Sequence, residues 1–111
     1  MPVAVARTLV GPGGLIGVST HAAAELRTLL GADFAFFGAV YATPGKTAVG
    51  PAALAAAVGA AEVPVLAIGG ITAREVPAVR AAGAAGVAVI RAILAAPDPA
   101  AATRELVRAL V

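Results

Sequence analysis

Apolar positions in this chain fall into short blocks separated by glycine, proline and small polar residues. Four blocks are brief, bounded by turn residues, and three hold β-branched or aromatic residues in quantity: Leu15–Val18, Asp33–Gly38, Pro64–Ile68 and Gly86–Ile90. Runs of this length read as strands buried on both faces, as in a parallel sheet. Alanine-rich stretches lie between them. Pro2–Val10 is expected to be a helix, with Pro2 in its first turn and Gly11-Pro12-Gly13-Gly14 stopping it. A second helix follows Ser19-Thr20-His21 and runs through Leu30 to Gly31. A third runs from Pro51 to about Val58, bracketed by Gly59 and Pro64. A fourth extends from about Ala73 to Ala82, with Pro77 one turn in, where it should bend the helix or shorten its first turn. The last runs from Pro99 to Leu110 behind an Asp98 cap, with Ala102, Leu106, Ala109 and Leu110 at helical spacing on the sheet side. Ala39–Gly50, rich in Thr, Pro and Gly, is the longest irregular segment.

The predicted order is αβαβαβαβα, which requires a parallel sheet with right-handed crossovers. No linker interrupts it, so residues 1–111 form one continuous domain or one continuous half of a larger one. Composition narrows the function classes. The chain is 60% hydrophobic and 13% charged, which excludes intrinsic disorder. The high pI near 9.9 accompanies a net charge of only +2. The seven arginines are scattered without interleaved aromatics, so no nucleic-acid partner is expected. With no cysteine, disulfides and thiolate chemistry are out. One histidine and six scattered carboxylates give no metal cluster of the zinc type. Neither a leader peptide nor an uninterrupted apolar run of about 18 residues is visible, so a cytoplasmic protein without a membrane partner is expected.

Ligands of parallel α/β sheets bind beyond the carboxyl ends of the strands. There the sequence places Ser19-Thr20-His21, Thr43-Pro44-Gly45-Lys46, Gly69-Gly70 and Arg91. Lys46 is the only lysine and His21 the only histidine, and both fall on this rim. After Pro64–Ile68, Gly69-Gly70 leads into Thr72-Ala73-Arg74-Glu75, which has capping-box spacing. Strand, glycine turn and helix start expose unpartnered N–H groups that suit a phosphate. The plainer reading is that the glycines only permit a tight turn, that His21 only begins a helix, that Lys46 is a solvated loop tip and that Arg91 pairs with a nearby carboxylate. Taken jointly, hydroxyls, a lysine, an arginine and glycine amides are the inventory of a phosphate site. A carboxylate pair is absent from the rim.

At these residues the chain resembles the carboxyl-terminal half of the thiamine phosphate synthase family, with thiazole tautomerases as a related branch. The segments that carry the resemblance are Ile16-Gly17-Val18-Ser19-Thr20-His21, Gly31-Ala32-Asp33-Phe34, Gly38 to Lys46, Ala67-Ile68-Gly69-Gly70-Ile71 and Gly83 to Ile90. The resemblance implies a TIM barrel, of which this chain would hold strands five to eight behind the fourth helix. It implies a reaction joining hydroxymethylpyrimidine diphosphate to thiazole phosphate with release of diphosphate, assisted by Mg²⁺. Ser19, Thr43 and Lys46 would face the diphosphate, and Gly70, Ile90 and Arg91 would lie at the thiazole phosphate. Two residues depart from the family pattern: Gly45 replaces a usual Thr or Ser, and Arg91 replaces a usual Ser. The first four strands, which in the family supply the pyrimidine-binding residues and the acidic Mg²⁺ ligands, have no counterpart here.

Half a barrel leaves two open sheet edges and an uncovered apolar face. It can be completed by a second copy in a homodimer or by a separate amino-terminal half, or it can flatten into an open doubly wound sheet. A completed barrel is the expectation. Function divides accordingly: a synthase inactive without the missing strands, a non-catalytic phosphate-ligand module or assembly unit, or a thiazole tautomerase with His21 as acid/base, since imidazole titrates near neutrality.

Overall fold

The computed structural model describes all residues from Met1 to Val111. Its strands are β1 Gly17–Thr20, β2 Phe34–Phe37, β3 Val65–Ile68 and β4 Gly86–Ala88. All neighbours are parallel and their order in the sheet is their order in the sequence. The helices are α1 Val3–Val10, α2 Ala23–Leu26, α3 Pro51–Ala60, α4 Val76–Ala81, α5 Arg91–Leu94 and α6 Pro99–Leu110. When every crossover steps to the next strand in the same direction, a constant handedness puts the connecting helices on one face. A doubly wound sheet needs the strand order to reverse at a switch point, and no reversal occurs. The alternative of an open doubly wound sheet is therefore set aside, and the layout is half of a (β/α) barrel, as expected.

The pleat sorts the strand residues between two unlike environments. Ala35, Phe37, Val65 and Ala67 are buried against Leu54 and Ala57 of α3, Val76 and Val79 of α4, Leu26 of α2 and Leu106 of α6. Their pleat neighbours Phe34, Phe36, Leu66 and Ile68 point the other way and stay only half-buried, outside that cluster. One row of this second face crosses the whole sheet in register as Ser19, Phe36, Leu66 and Gly86. In a closed barrel such rows are filled by layers of side chains from all the strands. Here one side is missing. Accordingly only 16 of 111 residues are buried in a chain that is 60% hydrophobic. The accessible surface is 6499 Å², against roughly 5,500 Å² for a compact monomer of 10.6 kDa. The radius of gyration, 14.6 Å, likewise exceeds the ~13 Å of a compact chain of this length.

Several boundaries differ from the sequence expectation, each for a local reason. β1 starts at Gly17, and Leu15, expected in the strand, is 79% exposed on the approach from α1. α2 closes at Leu26 instead of Leu30, because Thr28 donates its hydroxyl to the Glu25 carbonyl and the Arg27 and Thr28 amides bond three residues back. α4 starts at Val76, because a helix from Ala73 would have set the Pro77 ring against the Ala73 carbonyl. β4 stops at Ala88, and α5, a single turn the sequence pattern did not announce, follows at Arg91.

Helix α1 buries no residue. It is tied down by Arg7, whose guanidinium donates to the carbonyls of Gly11, Gly14 and Gly31 and forms an ion pair with Asp33 at 2.9 Å. Asp33 also accepts the Ile16 N–H at 2.7 Å, joining α1, β1 and the start of β2. That backbone bond, followed by the Arg7 contact, holds the Asp33 carboxyl below its ordinary value. A carboxylate with a depressed folded-state pKa stabilises the fold above its unfolded value, and that stability is lost as pH falls through the depressed one.

Urea unfolding at a series of pH values should therefore show Asp33→Asn less stable than the parent at pH 7, with a shallower loss as pH falls below the ordinary carboxylate value. The two sheet faces should also respond unequally. Phe37→Ala is expected to cost about 3–5 kcal/mol, as for other core phenylalanines, and Phe36→Ala on the open face clearly less. Equal losses in the same unfolding measurement would show that the second face is not open.

Candidate functional site

The carboxyl ends of the four strands open into a cleft of about 540 Å³. Its floor is apolar, with Phe36, Ile68 and Ala88 from the uncovered face and Ala92 and Ala95 from the segment after β4. Every residue singled out from sequence lines it: Ser19, His21, Thr43, Lys46, Gly69, Gly70, Ile90 and Arg91. Loops about seventy residues apart in sequence, from Ser19 to Arg91, are brought together because parallel strands all end on one side. The floor was not singled out; alternation within β2 and β3 was the signal that could have found it.

Each polar residue has a distinct local setting. Ser19 lies within β1 and is exposed, while its neighbour Thr20 is buried and donates its hydroxyl to the Phe36 carbonyl at 2.8 Å. The Thr20 hydroxyl is therefore already spent within the sheet, and that of Ser19 is not. His21 is exposed, and its backbone N–H, together with that of Ala22, is taken by the Glu25 carboxylate at 2.9 Å. The ring remains free, but those two amides are not available to an anion.

The loop Ala39–Gly50 is pinned at both ends. Val40 and Tyr41 donate to the Ile68 and Gly69 carbonyls, and Val49 and Gly50 donate back to Ala39 and Val40. At its tip Thr43 and Lys46 exchange backbone bonds across Pro44-Gly45. Proline second and a glycine at φ 81° third are the residues a type II turn demands. That is the physical reason for Gly45: a threonine would be strained at that angle. The turn presents Thr43 and Lys46 on the rim, and the Lys46 side chain has no hydrogen-bond or ionic partner.

The turn reading of Gly69-Gly70 is the one the geometry explains. The two residues have φ of 102° and 65°, and a Cβ on either would press on Ala39 or on Ala42 and Tyr41 at 2.6–2.9 Å. The glycines thus let the loop Ala39–Gly50 lie against the end of β3. Their N–H groups, and those of Val89 and Ile90, form no hydrogen bond within the chain. Further on, Glu75 accepts both the N–H and the hydroxyl of Thr72, which leads the causes holding its carboxyl below the ordinary value. Of the capping box only the glutamate half forms, since the Thr72 hydroxyl donates to Glu75 instead of accepting an amide.

Arg91 opens α5 and faces the cleft without an acidic partner; the one ion pair in the chain is Arg7–Asp33. The plainer reading of Arg91 as half of a salt bridge is overturned. No carboxylate lines the cleft, while Lys46 and Arg91 both do. Nor do three His, Asp or Glu side chains approach one another anywhere in the chain. These residues do not fit a Mg²⁺ cage, which needs oxygen ligands supplied chiefly by carboxylates, substrate phosphates and water.

Four parallel β/α units with a ligand cleft at their carboxyl end define a protein of the (β/α)-barrel class, present here as one half. Residues 1–93 match the family described as thiamine monophosphate synthase, and the chain belongs to that family. It is 51% identical, over all of its length and 53% of the relative's, to a protein of Geobacter sulfurreducens assigned as a thiamine-phosphate synthase. It is 46% identical to the thiamine-phosphate synthase of Haloquadratum walsbyi, with 96% of this chain and 51% of that protein covered. Among solved structures it superposes on the thiamine phosphate pyrophosphorylase of Pyrococcus furiosus with a TM-score of 0.86 at 34% identity, covering 99% of this chain and 55% of that one. A 3-hexulose-6-phosphate synthase follows at 0.78 and 31%, covering 98% and 56%. The chain thus spans about half the length of these relatives. No helix is long and apolar enough to cross a membrane.

Because Gly70 combines positive φ with a close approach to Tyr41 and Ala42, Gly70→Ala should cost about 1–3 kcal/mol. Amide chemical shifts should move through Ala39–Lys46 but not in α6. Shifts confined to residues 69–72 would sever the link between this turn and the loop.

Proposed function

We propose that this chain is the phosphate-holding half of a thiamine-phosphate synthase, able to bind a phosphorylated ligand alone and to take part in catalysis only when the barrel is complete. One observation carries the reading. Two cationic side chains without partners, Lys46 and Arg91, share an acid-free cleft with the unbonded amides of Gly69, Gly70, Val89 and Ile90. Backbone donors fix a phosphate by geometry, and the guanidinium adds paired charge-assisted bonds.

The family resemblance divides the cleft between two anions. Ser19, Thr43 and Lys46 would meet the diphosphate of hydroxymethylpyrimidine diphosphate, with Lys46 offsetting charge as diphosphate leaves. Gly70, Ile90 and Arg91 would hold the thiazole phosphate. The apolar floor of Phe36, Ile68 and Ala88 suits an aromatic ring between the two. Mg²⁺ enters the reading only as a property of the completed enzyme, and no step here is assigned to it. A second reading, thiazole tautomerase, is favoured by the free imidazole of His21 on the same rim. Full tautomerase activity in His21→Ala would remove it.

Calorimetric titration of the chain with thiazole phosphate should give saturable binding that weakens as salt rises. Lys46→Ala should weaken diphosphate binding and Arg91→Ala thiazole phosphate binding. About tenfold or more is expected in each case, since a hydrogen bond to a charged group is worth ~1.5–3 kcal/mol. Assays with both substrates and Mg²⁺ should show no turnover by the chain alone. An absence of binding to either ligand would leave only an assembly role.

A further inference from the structure

We infer that Glu75, which does not itself line the cleft, is a positioning residue that holds the Gly69-Gly70 turn in the shape an anion needs. The inference deepens the phosphate-binding reading above and rests on it.

Donors that are to meet a ligand cannot be tied up within the chain. The N–H groups of Gly69, Gly70 and Ile71 are free in this sense, so no hydrogen bond of their own fixes them. Glycine also gives up more backbone freedom on ordering than any other residue. The turn must therefore be held from its flanks. Upstream, Val40 and Tyr41 donate to the Ile68 and Gly69 carbonyls at 2.9 and 3.0 Å. Downstream, the restraints are the buried Ile71 side chain and the bonds of Thr72. All three polar groups of Thr72 end on Glu75. The carboxylate accepts the Thr72 N–H at 2.8 Å and the Thr72 hydroxyl, and the Glu75 N–H donates to the Thr72 carbonyl at 3.0 Å.

Glu25 makes the corresponding contact behind β1, with a different result. Its carboxylate takes the N–H groups of His21 and Ala22, which directly follow the strand, both at 2.9 Å. The donors of that loop are thereby consumed. Behind β3 the carboxylate engages Thr72 instead, past Gly69, Gly70 and Ile71, whose amides stay free. The Thr72 bonds also hold the Glu75 carboxyl below its ordinary value, so it remains an ionised acceptor at neutral pH. Neither glutamate lines the cleft. Removing either takes away one negative charge without deleting a residue of the cleft wall, which makes Glu25 the control for Glu75.

The test titrates the parent chain, Glu75→Ala, Glu75→Gln and Glu25→Ala with thiazole phosphate, with folding checked by circular dichroism. Backbone order parameters of residues 69–72 are measured on the same proteins by NMR relaxation. Glu75→Ala should lower those order parameters and weaken binding about tenfold, the order expected when one more residue must be ordered on binding. Glu75→Gln, whose side-chain oxygen can still accept both Thr72 bonds, should stay within about twofold of the parent. Glu25→Ala, which removes the same charge from the other loop, should do so too. Unchanged binding in Glu75→Ala overturns the inference. So do equal losses in Glu75→Ala and Glu75→Gln, or in Glu75→Ala and Glu25→Ala. Should Glu75→Ala not fold, Thr72→Val, which deletes only the hydroxyl bond, takes its place, and unchanged order parameters there overturn the inference. If the parent binds no thiazole phosphate, the phosphate reading fails, and the order parameters alone decide whether Glu75 holds the turn.

Discussion

Parallel strands need cover on both faces, and this chain supplies it on one. Helices α2, α3, α4 and α6 seal Ala35, Phe37, Val65 and Ala67, whereas Phe36 and Leu66, on the same central strands, remain partly exposed. Apolar surface left in water forfeits on the order of 25 cal/mol per Å². The excess surface, the low count of buried residues and the two unpaired edges are consequences of that single imbalance. So is the position of α1, a helix with no buried residue that is held by the polar reach of Arg7 to Asp33 and three carbonyls.

The same geometry creates the cleft. Because the strands are parallel, their carboxyl ends deliver Ser19, the Thr43–Lys46 turn, the Gly69-Gly70 amides and Arg91 to one rim. Because the second face is open, the floor of that rim is a stretch of uncovered sheet. The amides and cations of the rim sit on short loops at strand ends, so half a barrel holds the whole cleft. Membership in the thiamine monophosphate synthase family and a length about half that of the relatives accord with that layout.

Much of this was legible in the sequence, for identifiable reasons. Strands announce themselves by short β-branched or aromatic runs bounded by glycine, and Val65–Ile68 ahead of Gly69-Gly70 is the clearest case. The rim residues could be chosen because strand ends are where parallel sheets bind ligands, and a charge-poor chain makes its single lysine conspicuous. Helix limits were less legible. The short α2 depends on the Thr28 hydroxyl and the late start of α4 on Pro77, both local competitions that a hydrophobic pattern does not record. The part Arg7 plays was not legible either. Its role rests on Gly31 and Asp33, more than twenty residues away.

The sequence by itself determined the order of elements, the parallel sheet and the residues of the rim, since periodicity and turn chemistry act over a few residues. Only the tertiary structure decided between an open doubly wound sheet and half a barrel, because that choice lies in the order of strand pairing, a long-range property. It alone showed that the Thr20 hydroxyl is buried and spent on the Phe36 carbonyl while Ser19 stays exposed on the cleft, a difference set by which side of the pleat each occupies. It also showed that Arg91 shares a cleft with the Gly69-Gly70 turn and has no ionic partner, because no carboxylate is among the residues that line that cleft.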